Sequence, residues 1–190
     1  MKNLNLGWKQ TFLWFFVFLL LIGLSVFLHS VSGKYRNIPC EVCQKRFLSV
    51  PKSHWIVIYP GLVGCGKKCP MALESLRQFR MRFPDTSFTF YFLVTDPKET
   101  EEAIKSYLAY YETSLSIQAL RPETNEEIQM YRRLGAYLPE HPILKQRDEH
   151  GTQFFLIPPH RTEIFALPKL EDKDWKQIQK AISSNANMIL

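Results

Sequence analysis

Three kinds of hydrophobic pattern follow one another along the chain. The first is a run over 11–28, TFLWFFVFLLLIGLSVFL, that holds no charged residue. Wound as a helix it rises about 27 Å, close to the roughly 30 Å hydrocarbon layer of a bilayer. It is longer than the apolar core of a secretory signal, and the HSVSGKYR that follows offers a poor small-residue cleavage site. The expectation is an uncleaved, single-pass transmembrane helix over 11–29 with a short cytoplasmic N-terminus, 1–10. A cleaved signal peptide and a buried core helix are the competing readings. Lys2 and Lys9 before the run and Lys34 and Arg36 after it leave its orientation weakly marked. A bacterial inner membrane, with the rest of the chain in the periplasm, is the expected location.

The second and third patterns alternate from 54 onward. HWIVIY over 54–59 is nearly all apolar, as in a strand buried on both faces, and Pro60-Gly61 is expected to end it. MALESLRQFRMRF over 71–83 places Met71, Leu73, Leu76, Phe79 and Phe83 at mostly three- and four-residue steps, an amphipathic helix stopped by Pro84. SFTFYFLV, 87–94, is a second buried strand. Residues 96–112 form the next predicted helix, with glutamates after Thr100 where acidic groups suit the helix dipole. A third strand is expected over 116–120. A helix follows over 125–138, with Ile128, Tyr131, Leu134 and Leu138 on one face. Strands 153–157 and 163–167 pair around PPHR, and 172–182 closes as a helix. The order βαβαβαββα predicts an α/β domain over 54–190, a central mixed sheet flanked by helices. Residues 30–53 show neither period and are expected to be a linker or arm.

A length of 190 residues suits one such domain plus an anchor. The formal net charge of +6 is spread among interspersed acidic and basic residues, which excludes a nucleic-acid-binding stripe. The four cysteines change the picture more. Cys40 and Cys43 form a CxxC in the arm, while Cys65 and Cys69 form a CxxxC in the turn between the first strand and first helix of the domain. A cysteine motif in that turn fits a thioredoxin-like domain. Pro70, directly after Cys69, is suited to a first helical turn. The positive end of that helix, with Lys67 and Lys68 between the cysteines, is expected to lower both thiol pKa values.

Thiolates are soft ligands suited to Cu(I), and the CxxxC spacing permits either a disulfide or a shared grip on one metal ion. A metal needs a third ligand. His150, in RDEHGTQFFLIPP just ahead of a predicted strand, is the best placed; His141 and His160 are its rivals, since His29 abuts the apolar run and His54 opens a buried strand. Cys40 and Cys43 have three candidate roles: a structural disulfide, an accessory redox pair exchanging electrons with Cys65 and Cys69, or additional metal ligands. All four cysteines also approach the spacing of a structural zinc site.

Four blocks, GLVGCGKKCPMALESL, LVTDPKET, ALRPETNEEIQMYRRLGAYL and DEHGTQFFLIPP, resemble in order successive blocks of the Sco/SenC family of membrane-anchored copper chaperones. The resemblance implies a thioredoxin-like fold and copper binding by Cys65, Cys69 and His150. It also implies delivery of copper to the CuA centre of cytochrome c oxidase, on subunit II. Some members of that family reduce their target's cysteines, so it leaves as the alternative a membrane-anchored thiol-disulfide oxidoreductase using Cys65 and Cys69 on a thiol-disulfide redox partner.

Overall fold

The computed structural model describes residues 4–32, 36–66, 68–136, 153–167, 170, 178 and 180. It divides into two units, 1–34 and 35–190. The first contains one helix, α1 (Leu4–Ser32), of 29 residues. Its side chains are described over 11–25, and all of these are exposed. That stretch alone rises only about 22 Å, short of a hydrocarbon layer. Among the described residues, no helix is long and apolar enough to cross a membrane.

The second unit is built on a six-stranded mixed sheet in the order β1-β6-β5-β2-β3-β4. Its elements in chain order are β1 (Arg36–Pro39), α2 (Cys43–Arg46), β2 (Trp55–Gly61), α3 (Lys68–Arg82), β3 (Phe88–Val94), α4 (Glu101–Leu115), β4 (Gln118–Leu120), α5 (Asn125–Arg133), β5 (Phe154–Ile157) and β6 (Glu163–Leu167). Strands β2, β3 and β4 run parallel, while β5 lies antiparallel to β2, β6 to β5 and β1 to β6. Alternation along each strand divides the core between the two faces. Val57, Tyr59, Phe90 and Phe92 pack with Leu73, Leu76 and Phe79 of α3 and Ile104 and Leu108 of α4. Ile56, Ile58, Tyr91 and Leu93 face Phe47, Met130, Tyr131 and Leu134 on the other side.

Helix α4 starts at Glu101, later than the expected 96, and three further features depart from the sequence expectations. Strand β2 does not stop before Pro60-Gly61 but includes both, with Pro60 opposite Leu93 and Gly61 opposite Val94. Pairing of β2 with β5 ends at Ile58, so Pro60 lies past that ladder and its missing N–H forfeits no bond there. Gly61 is needed because the Phe92 ring lies where a Cβ would stand. Helix α5 ends at Arg133, not at 138. Gly135, at φ 89°, donates to the Arg132 carbonyl and Ala136 to that of Tyr131, a Schellman termination that glycine makes accessible. Thr124 and Thr100 cap α5 and α4, their side chains accepting from Glu127 and Ala103 N–H groups.

The third departure is the segment expected as an arm, 30–53, which supplies an edge strand and one turn of helix. Its loop is held by Arg161 in the β5–β6 turn. The buried guanidinium donates to the carbonyls of Phe47, Val50 and Pro51. Of the expected final helix, Ile178 and Lys180 are described and helical, and Ile178 is buried in the α3/α4-side core.

Candidate functional site: the cysteine turn

Strand β2 delivers the chain to a turn over 62–66, and α3, from Lys68, carries it away. Gly64 sits at φ 77° with open space around a would-be Cβ, so the backbone angle and not crowding calls for glycine. Cys65 N–H then donates to the Leu62 carbonyl at 3.2 Å. Cys69 falls in the first turn of α3, with Pro70 behind it as expected.

The two sulfurs occupy different environments. Cys65 is half-buried, Cys69 fully buried, and both are thiols. The Tyr59 hydroxyl (3.6 Å) and the Leu62 N–H (3.5 Å) donate to Cys69 Sγ, which in turn donates to the Leu62 carbonyl at 3.6 Å. Burial pushes the Cys69 thiol up to about 12. The hydrogen bonds from Leu62 and Tyr59 pull the other way and are outweighed, and the neighbouring Cys65 adds to the rise. The expectation of a lowered pKa fails for Cys69: a helix end offers it about half a charge, while its burial removes the water that a thiolate needs. Tyr59 and Tyr107 are likewise held above the usual tyrosine range, first by burial and then by Cys69.

Several groups around the turn carried no site assignment from sequence. Glu99, just before α4, accepts the Val63 N–H at 2.6 Å and so anchors the cysteine turn from a neighbouring loop. Thr95 ties the same region by donating its hydroxyl to the Gly61 carbonyl at 2.8 Å. Both belong to the LVTDPKET block, so a signal was present, but its contact with the turn is tertiary. Tyr59 reads in sequence as one more apolar strand position.

His150 and its rival His141 lie outside the described residues. The sheet nonetheless separates the other histidines. Strand β5 pairs Phe155 with Ile58 and Ile157 with Ile56, so its first residues lie toward the cysteine end of β2. His160 follows the opposite end of β5 and contacts Thr162 and Glu163, while His54 precedes β2 and contacts Thr89. Neither is at the cysteine end of the sheet.

Cys40 and Cys43 are joined in a disulfide. They pack on the Ile56/Ile58 face, whereas Cys65 and Cys69 pack on the Val57/Tyr59 face. The sheet therefore stands between the pairs, and a four-cysteine zinc site is excluded. Among the described residues no three His, Cys, Asp or Glu side chains converge to hold a metal.

A mixed sheet with helices on both faces and a dithiol turn leading into α3 make this a thioredoxin-like α/β domain. No family model matches the sequence, and no curated protein matches it at the sequence level. Solved structures do match in fold, and Sco1/SenC proteins are among them. Copper-bound yeast Sco1 is 20% identical, with a TM-score of 0.52 over 66% of this chain and 74% of that one. Copper-bound ScoI of Arabidopsis thaliana is 18% identical, TM-score 0.53, covering 71% and 86%. A SCO1/SenC family lipoprotein of Bacillus anthracis is 15% identical, TM-score 0.54, covering 80% and 94%.

Proposed function

We propose that the chain is a Sco-type copper carrier, anchored by its N-terminal helix in a bacterial inner membrane with its domain in the periplasm. Cys65, Cys69 and His150 hold copper as cargo, and the acceptor is the CuA centre of cytochrome c oxidase subunit II. The observation that carries this reading is the gathering of two thiols at the end of β2 toward which β5 also begins, in a fold shared with copper-bound Sco1. In the sequence His150 comes shortly before β5.

The residues divide the work. Cys69 keeps its proton through the neutral range, so loading requires copper to displace it, and the Leu62 carbonyl and Tyr59 hydroxyl are the polar groups that hold the sulfur meanwhile. Cys65 is the sulfur open to an incoming donor or acceptor. Glu99 and Thr95 keep the turn from unravelling between the two states.

The same asymmetry favours a second reading, a thiol-disulfide oxidoreductase. The Cys65 thiolate attacks a partner disulfide and releases one partner thiolate. Cys69, on losing its proton, then attacks Cys65 Sγ, closing a Cys65–Cys69 disulfide and releasing the second partner thiolate. His150→Ala separates the readings. For the carrier, the variant loses tight copper retention while reduction of a model disulfide stays near wild type. Copper held at wild-type affinity by His150→Ala rules the carrier assignment out.

A further inference from the structure

The other face of the sheet brings three sulfurs together. Cys40 follows β1, Cys43 opens α2, and their Cα atoms are 5.4 Å apart across the disulfide. From α5, far along the chain, Met130 places Sδ 3.2 Å from Cys40 Sγ. Cys40, Cys43 and Met130 are all at most 3% exposed. A groove of about 630 Å³ reaches Cys40 and Met130, bordered also by Val42, with Glu41, Glu126 and Arg133 along its wall.

We propose that this is a second, redox-gated soft-metal site, in which Cu(I) is held by the Cys40 and Cys43 thiolates and the Met130 thioether. A methionine against a cysteine is ordinary core packing in most proteins. Here the contact borders a groove that carries Glu41, Glu126 and Arg133 on its wall, so an ion can arrive, and the thioether meets the one cysteine of the pair that lines that groove. Two sulfurs each about 2.3 Å from a shared ion stand roughly 3.5–4.5 Å apart, which a modest outward shift of the separated thiols supplies. Three sulfur donors select Cu(I) over harder cations, and the apolar core cluster that the three share with Phe47, Ile58 and Leu134 suits a low-coordinate soft ion.

While the disulfide is closed, its sulfurs have no thiolate to offer. A dithiol reductant opens it: the Cys40–Cys43 bond breaks, the dithiol supplies two electrons and two protons, and it leaves as a disulfide. Cu(I) then displaces both thiol protons to solvent and stays monovalent. The site is separated from Cys65 and Cys69 by the sheet, so it fills and empties independently of them.

The test uses the full chain in detergent carrying Cys65→Ser and Cys69→Ser, with its remaining pair either oxidised or reduced by a dithiol and desalted without air. Cu(I) is titrated against a chromogenic Cu(I) chelator. The oxidised form should take up no tight copper and the reduced form one per chain, with X-ray absorption counting three sulfur neighbours. Adding Met130→Leu, close in volume, should weaken retention about tenfold or more and leave two sulfurs. The wild-type chain, which needs no substitution, should gain one copper per chain on reduction. No gain on reduction, two-sulfur coordination, or Met130→Leu holding copper like its parent each overturn the proposal.

Discussion

Replacing Cys69 by alanine should make the protein less stable at neutral pH and more stable at alkaline pH. In the unfolded chain the thiol titrates near its ordinary 9.0, and in the fold near 12. Below 9 both states are protonated and the buried neutral thiol contributes fully. Above 9 the unfolded state releases a proton that the folded state keeps, so the stability of the wild type falls as pH rises through that window. The slope is about 1.4 kcal/mol per pH unit, or roughly 3 kcal/mol by pH 11. Cys69→Ala escapes this loss and gives up only a small buried sulfur, about 1 kcal/mol at pH 7. The two stability curves should therefore cross near pH 10. Tyr59 and Tyr107, also raised by burial, add a further alkaline loss in both proteins. Urea unfolding followed by circular dichroism from pH 7 to 11 makes the measurement. Parallel curves, with the variant less stable by a constant amount throughout, refute the raised pKa and with it the protonated resting state of Cys69.

Substitutions at three other places probe the scaffold. Cys40→Ser with Cys43→Ser should leave copper at one equivalent per chain on the Cys65 side, because that pair packs on the other face; loss of all copper in this variant contradicts the separation of the two sites. Arg161→Met strands the carbonyls of Phe47, Val50 and Pro51 and should cost about 3 kcal/mol or more, read as a fall in the urea midpoint; an unchanged midpoint means that the loop is held otherwise. Gly64→Ala should cost about 1 kcal/mol through the positive φ alone, and Gly64→Asn less, since no atom stands near the new Cβ; equal losses for the two point instead to crowding.

Local signals carried far in this sequence where a pattern is dense. The apolar run before Pro60 and the spaced Leu73, Leu76 and Phe79 were enough to place β2, α3 and the cysteine turn between them, and Pro70 marked the start of the helix. Signals failed where tertiary partners decide. RNIP has no alternation to reveal β1, which exists because β6 offers it an edge. Pro60 looked like an ending, and only the position of the β5 ladder shows why a strand tolerates it. Gly135 could have closed α5 earlier, but the apolar spacing of Leu134 and Leu138 suggested continuation. The pKa of Cys69 could not be read from charge spacing, since Lys68 is solvent-exposed while Tyr59, Tyr107 and the sheet wall enclose the sulfur. Glu99 and Thr95 lie more than thirty positions beyond the groups they bind, a link that spacing alone does not disclose.

Metal competition on the full chain bears most directly on the central claim. With the Cys40–Cys43 disulfide intact and Cys65 and Cys69 kept reduced, the purified protein is offered Cu(I) and Zn(II) together under anaerobic conditions, and bound metal is counted. One copper and no zinc per chain is the predicted result. Zinc in place of copper, or neither metal retained, contradicts a soft-ion carrier built on the cysteine turn.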